Sequence, residues 1–212
     1  MSAPAALTIR AIRATPVDVP MRHVLGTSQA AVRSAPLLLV DLETGEGITG
    51  HSYLFCYVAA AAPAITAILG EVERQVKGAR VAPADLWAKL AKRFTLIGVQ
   101  GVVRMAMEAA LDARASDYVM PDLERIGGVT GWQRAAGLAA ARGIETSTHL
   151  FPEVSAHLLA ATPTGHWLEY VDWAAPLLEQ PLEIVDGFAV VPERPGNGLS
   201  WNLEAVERYR MR

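Results

Sequence analysis

The order of elements along the chain predicts an α+β domain followed by a short series of parallel βα units. Three observations carry this reading. The first 55 residues hold a partly alternating stretch and two apolar runs joined by a glycine-bounded turn, three helical stretches follow, and from about residue 115 strand-like and helix-like stretches succeed one another.

Residues 7 to 19 partly alternate apolar and polar side chains, as a half-buried strand does. Leu37 to Leu42 and Ile48 to Phe55 are apolar runs joined by Glu43-Thr-Gly-Glu-Gly47, whose glycines supply the positive φ of a tight turn. With the first strand they make a small antiparallel sheet. Helices are predicted over about 57 to 77, 83 to 94 and 99 to 113, with Pro83 in a first turn and Gly78 as a stop. Next, Ser116 to Asp122 reads as a buried strand, Val129 to Arg142 as an amphipathic helix closed by Gly143, and Ile144 to Leu150 as a second strand. Val154 to Ala161 is helical, and His166 to Val171 is a third strand. The strand ends Asp122, His149 and Glu169 recur at βα-unit spacing, which implies parallel pairing. Leu182 to Val191 and Gly198 to Trp201 read as short strands around a Gly-Asn-Gly loop, and Leu203 to Met211 as a last helix able to pack back on the first domain.

A chain of 212 residues can bury roughly 70% of its extended surface. With 51% hydrophobic and 19% charged residues it falls outside the collagen-like and disordered classes. The net charge of -3 comes with no run of like charge, so neither nucleic acid nor a membrane surface is an expected partner. Ser52 to Gly70 lacks formal charge, but Pro63 interrupts it and alanine supplies much of it, which argues against a membrane span. Arg10, Arg13 and Asp18 break the apolar stretches near the start, so that segment is read as mature structure rather than a secretory signal. The single Cys56 suits a reducing compartment, and the location is read as cytoplasmic.

Asp122, His149 and Glu169 each fall at the C-terminal end of a predicted parallel strand, the rim where βα folds gather functional side chains. On adjacent strands about 5 Å apart, Asp122 and His149 could pair, the carboxylate fixing the imidazole tautomer for general acid or base work. On spacing alone the plainer reading, a satisfied strand-end histidine and an aspartate capping the turn before Gly127-Gly128, is favoured, because no nucleophile or metal partner is visible. Glu169, in an apolar stretch after Trp167, is exposed, paired, or protonated as a donor. His23, His51, His157 and His166 each read as structural, and Gly127-Gly128 is a weak anion-site signal. No G-x-S-x-G, H-E-x-x-H or C-x-x-C motif occurs, so serine hydrolase, zincin and dithiol chemistry have no motif behind them.

Several segments together carry a resemblance: His51-Ser-Tyr-Leu-Phe55, Leu90-Ala-Lys-Arg-Phe94, Met120-Pro-Asp122, Ile126-Gly-Gly-Val-Thr-Gly-Trp132, Thr148-His-Leu-Phe151, the run Ser155 to Thr164, and His166-Trp-Leu-Glu169. They resemble the mandelate racemase and muconate lactonizing enzyme family of the enolase superfamily. The resemblance implies a capping α+β domain over residues 1–113 and a βα barrel portion over 114–212 that includes a tail packing back on the cap. It also implies removal of the proton α to a carboxylate of a 2-hydroxy acid, by racemisation or acid-sugar dehydration, with the enolate held by Mg²⁺. His149 then resembles the catalytic histidine, Asp122 its dyad partner, and Glu169 the acid that hydrogen-bonds the substrate carboxylate. Met21 to Gly26, with Val24, resembles the mobile capping loop, and Tyr53 would wall an apolar, mandelate-type pocket.

The departures are as informative. The family's Lys-x-Lys motif and its three metal-binding carboxylates have no counterpart, because Lys77, Lys89 and Lys92 all lie in the first domain. A whole barrel takes about 200 residues or more, and Arg114 to Arg212 is too short for one. The expectation is therefore a truncated barrel whose early strands have been excised near residue 114, with no metal site and impaired turnover. The alternative is a non-catalytic remnant whose open sheet edges drive self-association, and a homo-oligomer is expected under either reading.

Overall fold

The structure is a computed structural model that describes residues 6–26, 31–94, 111 and 116–211. It divides into two compact units, the first formed by Met1–Thr95, Trp173–Gln180 and Leu199–Arg212, the second by Leu96–Asp172 and Pro181–Gly198.

In the first unit, β1 (Ile9–Gly26), β2 (Ala31–Thr44) and β3 (Thr49–Phe55) form an antiparallel sheet in the order β1-β2-β3. Val17 and Val19 are fully buried while Asp18 between them and Pro20 after them are exposed, the alternation that a half-buried strand requires. Pro16 and Pro20 are tolerated because β1 is an edge strand and their missing N–H groups break no interior ladder. β1 runs further than expected: Met21 to Gly26, which resembled a loop, continue the strand, with Leu25 opposite Val32 and Gly26 opposite Ala31 after a register break at Pro20. In β2, Ala35 and Leu37 to Leu39 are all buried, so both of its faces are covered.

Helix α1 (Ala61–Val76) starts later than expected because the chain first turns at Tyr57, whose φ is 60°. Leu38, Cys56 and Ala62 pack with Ile65, Leu69 and Met211 into one core. Helix α2 (Pro83–Arg93) has its proline in the first turn, where no donor is needed. The third expected helix, 99 to 113, lies outside the described residues except Leu111.

Late residues complete this unit. Met211 donates its N–H to Pro16 O at 3.0 Å along the outer edge of β1. Asp41 Oδ1 on β2 lies 2.7 Å from His51 Nδ1 on β3 and accepts the Trp201 indole N–H at 2.6 Å. Trp173 Nε1 donates to the Tyr53 hydroxyl at 3.3 Å. Gly198 to Trp201 is not a strand; a single bridge between Leu178 and Trp201 replaces it. The last helix, α5 (Leu203–Tyr209), is capped by Asn202, whose side chain accepts from Ala205 N.

In the second unit, β4 (Tyr118–Val119) pairs in parallel with β5 (Glu145–Thr146), and α3 (Gly128–Ala140) connects them. Trp132, Ala135, Ala136 and Ala139 form the buried stripe of α3 at helical spacing. The indole of Trp132 donates to Thr162 Oγ1 at 3.0 Å. Helix α4 (Pro152–Ala160) follows β5. The third parallel segment is present as hydrogen bonds rather than a strand: Thr146 N donates to Thr164 O, His166 N to Thr146 O, and Thr148 N to Trp167 O. A hairpin of β6 (Glu183–Val185) and β7 (Phe188–Val190) turns on Asp186 and Gly187, both at positive φ. Among the described residues parallel pairing joins only these three segments. No helix among them is long and apolar enough to cross a membrane.

Two predictions follow from local geometry. A Cβ on Gly131 would lie 1.8 Å from the Ile126 carbonyl oxygen, a clash with backbone that cannot step aside. G131A is therefore expected to lower stability by about 1–3 kcal/mol, read as a fall in the urea midpoint at unchanged slope. Glu43 is bonded by the Arg13 and Arg10 guanidiniums, the Arg13 bond first in strength, and its carboxyl is held below the ordinary glutamate value. Its contribution to stability is present above the ordinary value and disappears as pH falls through the depressed one. The stability difference between the protein and E43Q should be largest at neutral pH and close in acid, measured by urea unfolding across pH.

Candidate functional site

The parallel register does what the spacing foretold for two residues: Asp122 and His149 face each other in a parallel bridge, three residues beyond the β4–β5 pair. Asp122 is 7% exposed. Its Oδ1 accepts the backbone N–H groups of Glu124 at 2.9 Å and Arg125 at 3.0 Å, which turns the chain toward Gly127 and the start of α3. Its Oδ2 is buried without a hydrogen bond. Arg125 Nε at 3.6 Å and His149 Nε2 at 3.7 Å approach that oxygen at ion-pair range.

The closer partner of His149 is Glu169. Its Oε2 lies 2.9 Å from His149 Nδ1 and accepts the Leu150 N–H at 2.8 Å. Glu169 reaches this place because its own N–H donates to Thr148 Oγ1, at 2.8 Å, one residue before the histidine. The expected alternatives for Glu169 resolve to the paired one. Immediately after His149 the backbone enters the left-handed region at two consecutive non-glycine residues, Leu150 at φ 61° and Phe151 at φ 50°. Such residues cost of order 1–3 kcal/mol each and persist only where surrounding contacts hold them. The contacts are visible: Glu169 takes the Leu150 N–H, the buried Ser155 hydroxyl donates to the Leu150 carbonyl at 2.9 Å, and Phe151 leads into α4 through Pro152.

The imidazole therefore has a carboxylate on each side. His149 and Glu169 are each about one-third exposed, so solvent reaches the ring. Such a constellation can orient a base, hold a proton and stabilise the imidazolium that results. Sequence reasoning missed Thr148, Leu150 and Arg125. Only Arg125, three residues after Asp122 in a turn, left a readable signal.

The other expected site residues belong to the first unit. Val24 is half exposed near the end of β1, and Tyr53 is 3% exposed with its hydroxyl taken by Trp173, a core position within that unit. Of the remaining histidines, His51 is bonded to Asp41, His166 stacks on Tyr118, and His157 lies on α4 with its Nε2 buried and without a hydrogen bond.

Mg²⁺ calls for near-octahedral oxygen ligation with several ligands from carboxylates, water or substrate. Among the described residues no three His, Cys, Asp or Glu side chains converge on one point. Asp122 Oδ1 and Glu169 Oε2 are already committed to backbone N–H groups. The described residues do not fit the ion.

Family profiles match both parts of the chain: the mandelate racemase / muconate lactonizing enzyme N-terminal domain over residues 9–123, and the enolase C-terminal domain-like profile over 88–206. L-talarate/galactarate dehydratase of Salmonella typhimurium strain LT2 is 37% identical over 98 residues, 46% of this chain and 25% of that protein. D-xylonate dehydratase of Haloferax volcanii is 32% identical over 115 residues, 50% of this chain and 28% of that protein. The chain spans about a quarter of the length of these curated relatives. An enolase from Bradyrhizobium, solved with magnesium and mandelic acid, superposes with a TM-score of 0.88 at 23% identity, over 99% of this chain and 100% of that one. That likeness gives the fold, a capping domain with a barrel domain of the enolase superfamily. With profile matches over more than half of its residues, the chain belongs to the mandelate racemase and muconate lactonizing enzyme family.

Proposed function

We propose that this site removes the proton α to the carboxylate of a 2-hydroxy acid, with an acid sugar as the preferred substrate class. The observation that carries the reading is the imidazole of His149 set between Asp122 and Glu169 at the ends of neighbouring parallel segments. Support for acid sugars comes from the two dehydratases the chain is similar to. Support for an aryl 2-hydroxy acid such as mandelate comes from the bound ligand of the Bradyrhizobium enolase and from the resemblance at His51 to Phe55.

In the step itself the C–H bond α to the carboxylate breaks, its proton passes to a ring nitrogen of His149, and its electron pair moves into the carboxylate to give an enediolate. Asp122 balances the charge the ring acquires. Return of the proton gives exchange or racemisation, and loss of the β-hydroxyl from an acid sugar gives dehydration. The family supplies Mg²⁺ to hold the enediolate. With no fitting residues for it among those described, the chain is proposed to turn over slowly, since loss of even one preorganised stabilising group costs about 10²–10³ in rate.

We also propose that the early barrel strands were excised near residue 114. The overlap of the two profiles over 88–123 supports a junction there. A self-associating, non-catalytic protein is the second reading, favoured by Trp167 and Phe188, which are 69% and 77% exposed.

The test is exchange of the α-proton of galactarate, xylonate and mandelate with solvent deuterium, followed by NMR with and without added Mg²⁺. Slow exchange above the uncatalysed rate is expected, and H149N should lower it by about 10²–10⁴ or to background. Exchange unaffected by H149N, or no exchange with any of the three acids, would overturn the reading. Sedimentation of the same sample reports self-association independently.

A further inference from the structure

The backbone bonds between the second and third parallel segments slip by one residue just before the site. Thr146 lies opposite Gly165 and bonds as a regular parallel pair does: its N–H goes to Thr164 O, and its carbonyl accepts the His166 N–H. Two residues on, that register would set Thr148 opposite Trp167, with its N–H on His166 O. The Thr148 N–H goes instead to Trp167 O, at 2.9 Å, so Thr148 lies opposite Leu168. Two residues, His166 and Trp167, therefore face the single Ser147, which is a β-bulge.

We propose that Thr148 is a positioning residue: its hydroxyl, with that of Ser147, holds this bulge and thereby brings Glu169 to the face of the parallel segments that carries His149. The proposal rests on Glu169 meeting the substrate in the proposed reaction.

The face follows from parity. Residues opposite one another in a parallel pair project to the same side, and successive residues project to opposite sides. With Leu168 opposite Thr148, Glu169 is opposite His149 and shares its side. Without the extra residue Leu168 would take that place, and Glu169 would turn to the side of Thr146 and Thr148, both fully buried, where a carboxylate is costly. The bond from Leu150 N–H to Glu169 Oε2, at 2.8 Å, agrees with the slipped register.

A bulge takes N–H groups out of the ladder, and the two hydroxyl residues beside it receive them. The Glu169 N–H donates to Thr148 Oγ1 at 2.8 Å, and the Trp167 N–H to Ser147 Oγ at 3.4 Å. Ser147 is 5% exposed, so little water can replace the hydroxyls, and a buried N–H left unpaired costs about 1–3 kcal/mol. The bulged side chains are packed as well: the His166 ring stacks on Tyr118 at 5.3 Å and meets Trp167 edge-on at 5.2 Å. Thr148 has the shorter of the two bonds and holds the glutamate's own peptide unit, so it is the residue whose loss moves Glu169 most.

The register is read first, by NMR of the full chain without substrate, which makes failure of this assignment distinguishable from failure of the exchange reaction. Backbone NOEs are expected to pair Thr148 with Leu168, and the Glu169 amide to be protected from solvent exchange. Pairing of Thr148 with Trp167, or an unprotected Glu169 amide, overturns the proposal, even where a variant fails to fold. T148V should speed exchange at the Glu169 amide by about tenfold or more and leave the Thr146 amide protected, and T148S should restore it. With whichever acid shows α-proton exchange, T148V should slow that reaction by about tenfold, T148S should recover it, and T148V added to E169Q should cost nothing further. A loss from T148V that persists in the E169Q background means that the hydroxyl does not act through Glu169, and overturns the proposal.

Discussion

One carboxylate oxygen, Oε2 of Glu169, faces an imidazole nitrogen and a backbone N–H at once, and the geometry of the site depends on it. The chain reverses direction between β5 and α4 through two left-handed residues that are not glycine, a conformation that side chains at Leu150 and Phe151 resist. Glycine there would cost nothing in sterics but would leave the turn loose. Leucine and phenylalanine, both buried, pin the turn into the core, and Glu169 and Ser155 hold it from the two sides of the Leu150 peptide unit. Precision at the histidine is thus obtained from strain that hydrogen bonds contain.

Much of the framework was legible in the sequence, for identifiable reasons. Alternation at Val17 and Val19, the glycines between β2 and β3, Pro83 in a first turn and Gly143 after α3 are local signals, and each corresponds to a boundary or a face in the structure. The spacing from Asp122 to His149 reports the length of one βα unit, so it could be read as pairing without knowledge of any contact. Glu169 was legible as a position but not as a partner. Its hold on His149 depends on the left-handed turn, which nothing in Leu-Phe-Pro advertises, and on Thr148, an ordinary strand residue. The third parallel segment was overread as a strand because Leu168, Tyr170 and Val171 have strand-like composition, while only backbone bonds up to Trp167 were there to support it. The bond from Trp201 to Asp41 spans 160 residues and has no local signal at all.

Within the second unit the balance of charge shapes what chemistry is feasible. Two carboxylates, one imidazole and the Arg125 guanidinium lie within a few ångströms, and the carboxylates are already engaged by the chain itself. A site organised this way can move a proton and hold the resulting cation. It has little left over with which to neutralise a doubly charged enediolate, and on our reading of the chain as a shortened barrel that task belonged to strands it no longer has.

The first unit is assembled from three separate stretches of chain, the last of them Leu199–Arg212, whose Trp201 bonds to Asp41 in the middle strand and whose Met211 lines the outer edge of β1. During synthesis on the ribosome, therefore, the earliest strands emerge long before the residues that finish their sheet. Until then the β1 edge stays open and Asp41 lacks its indole donor, so the nascent protein passes through a window in which chaperone capture or pairing with another nascent chain competes with self-completion.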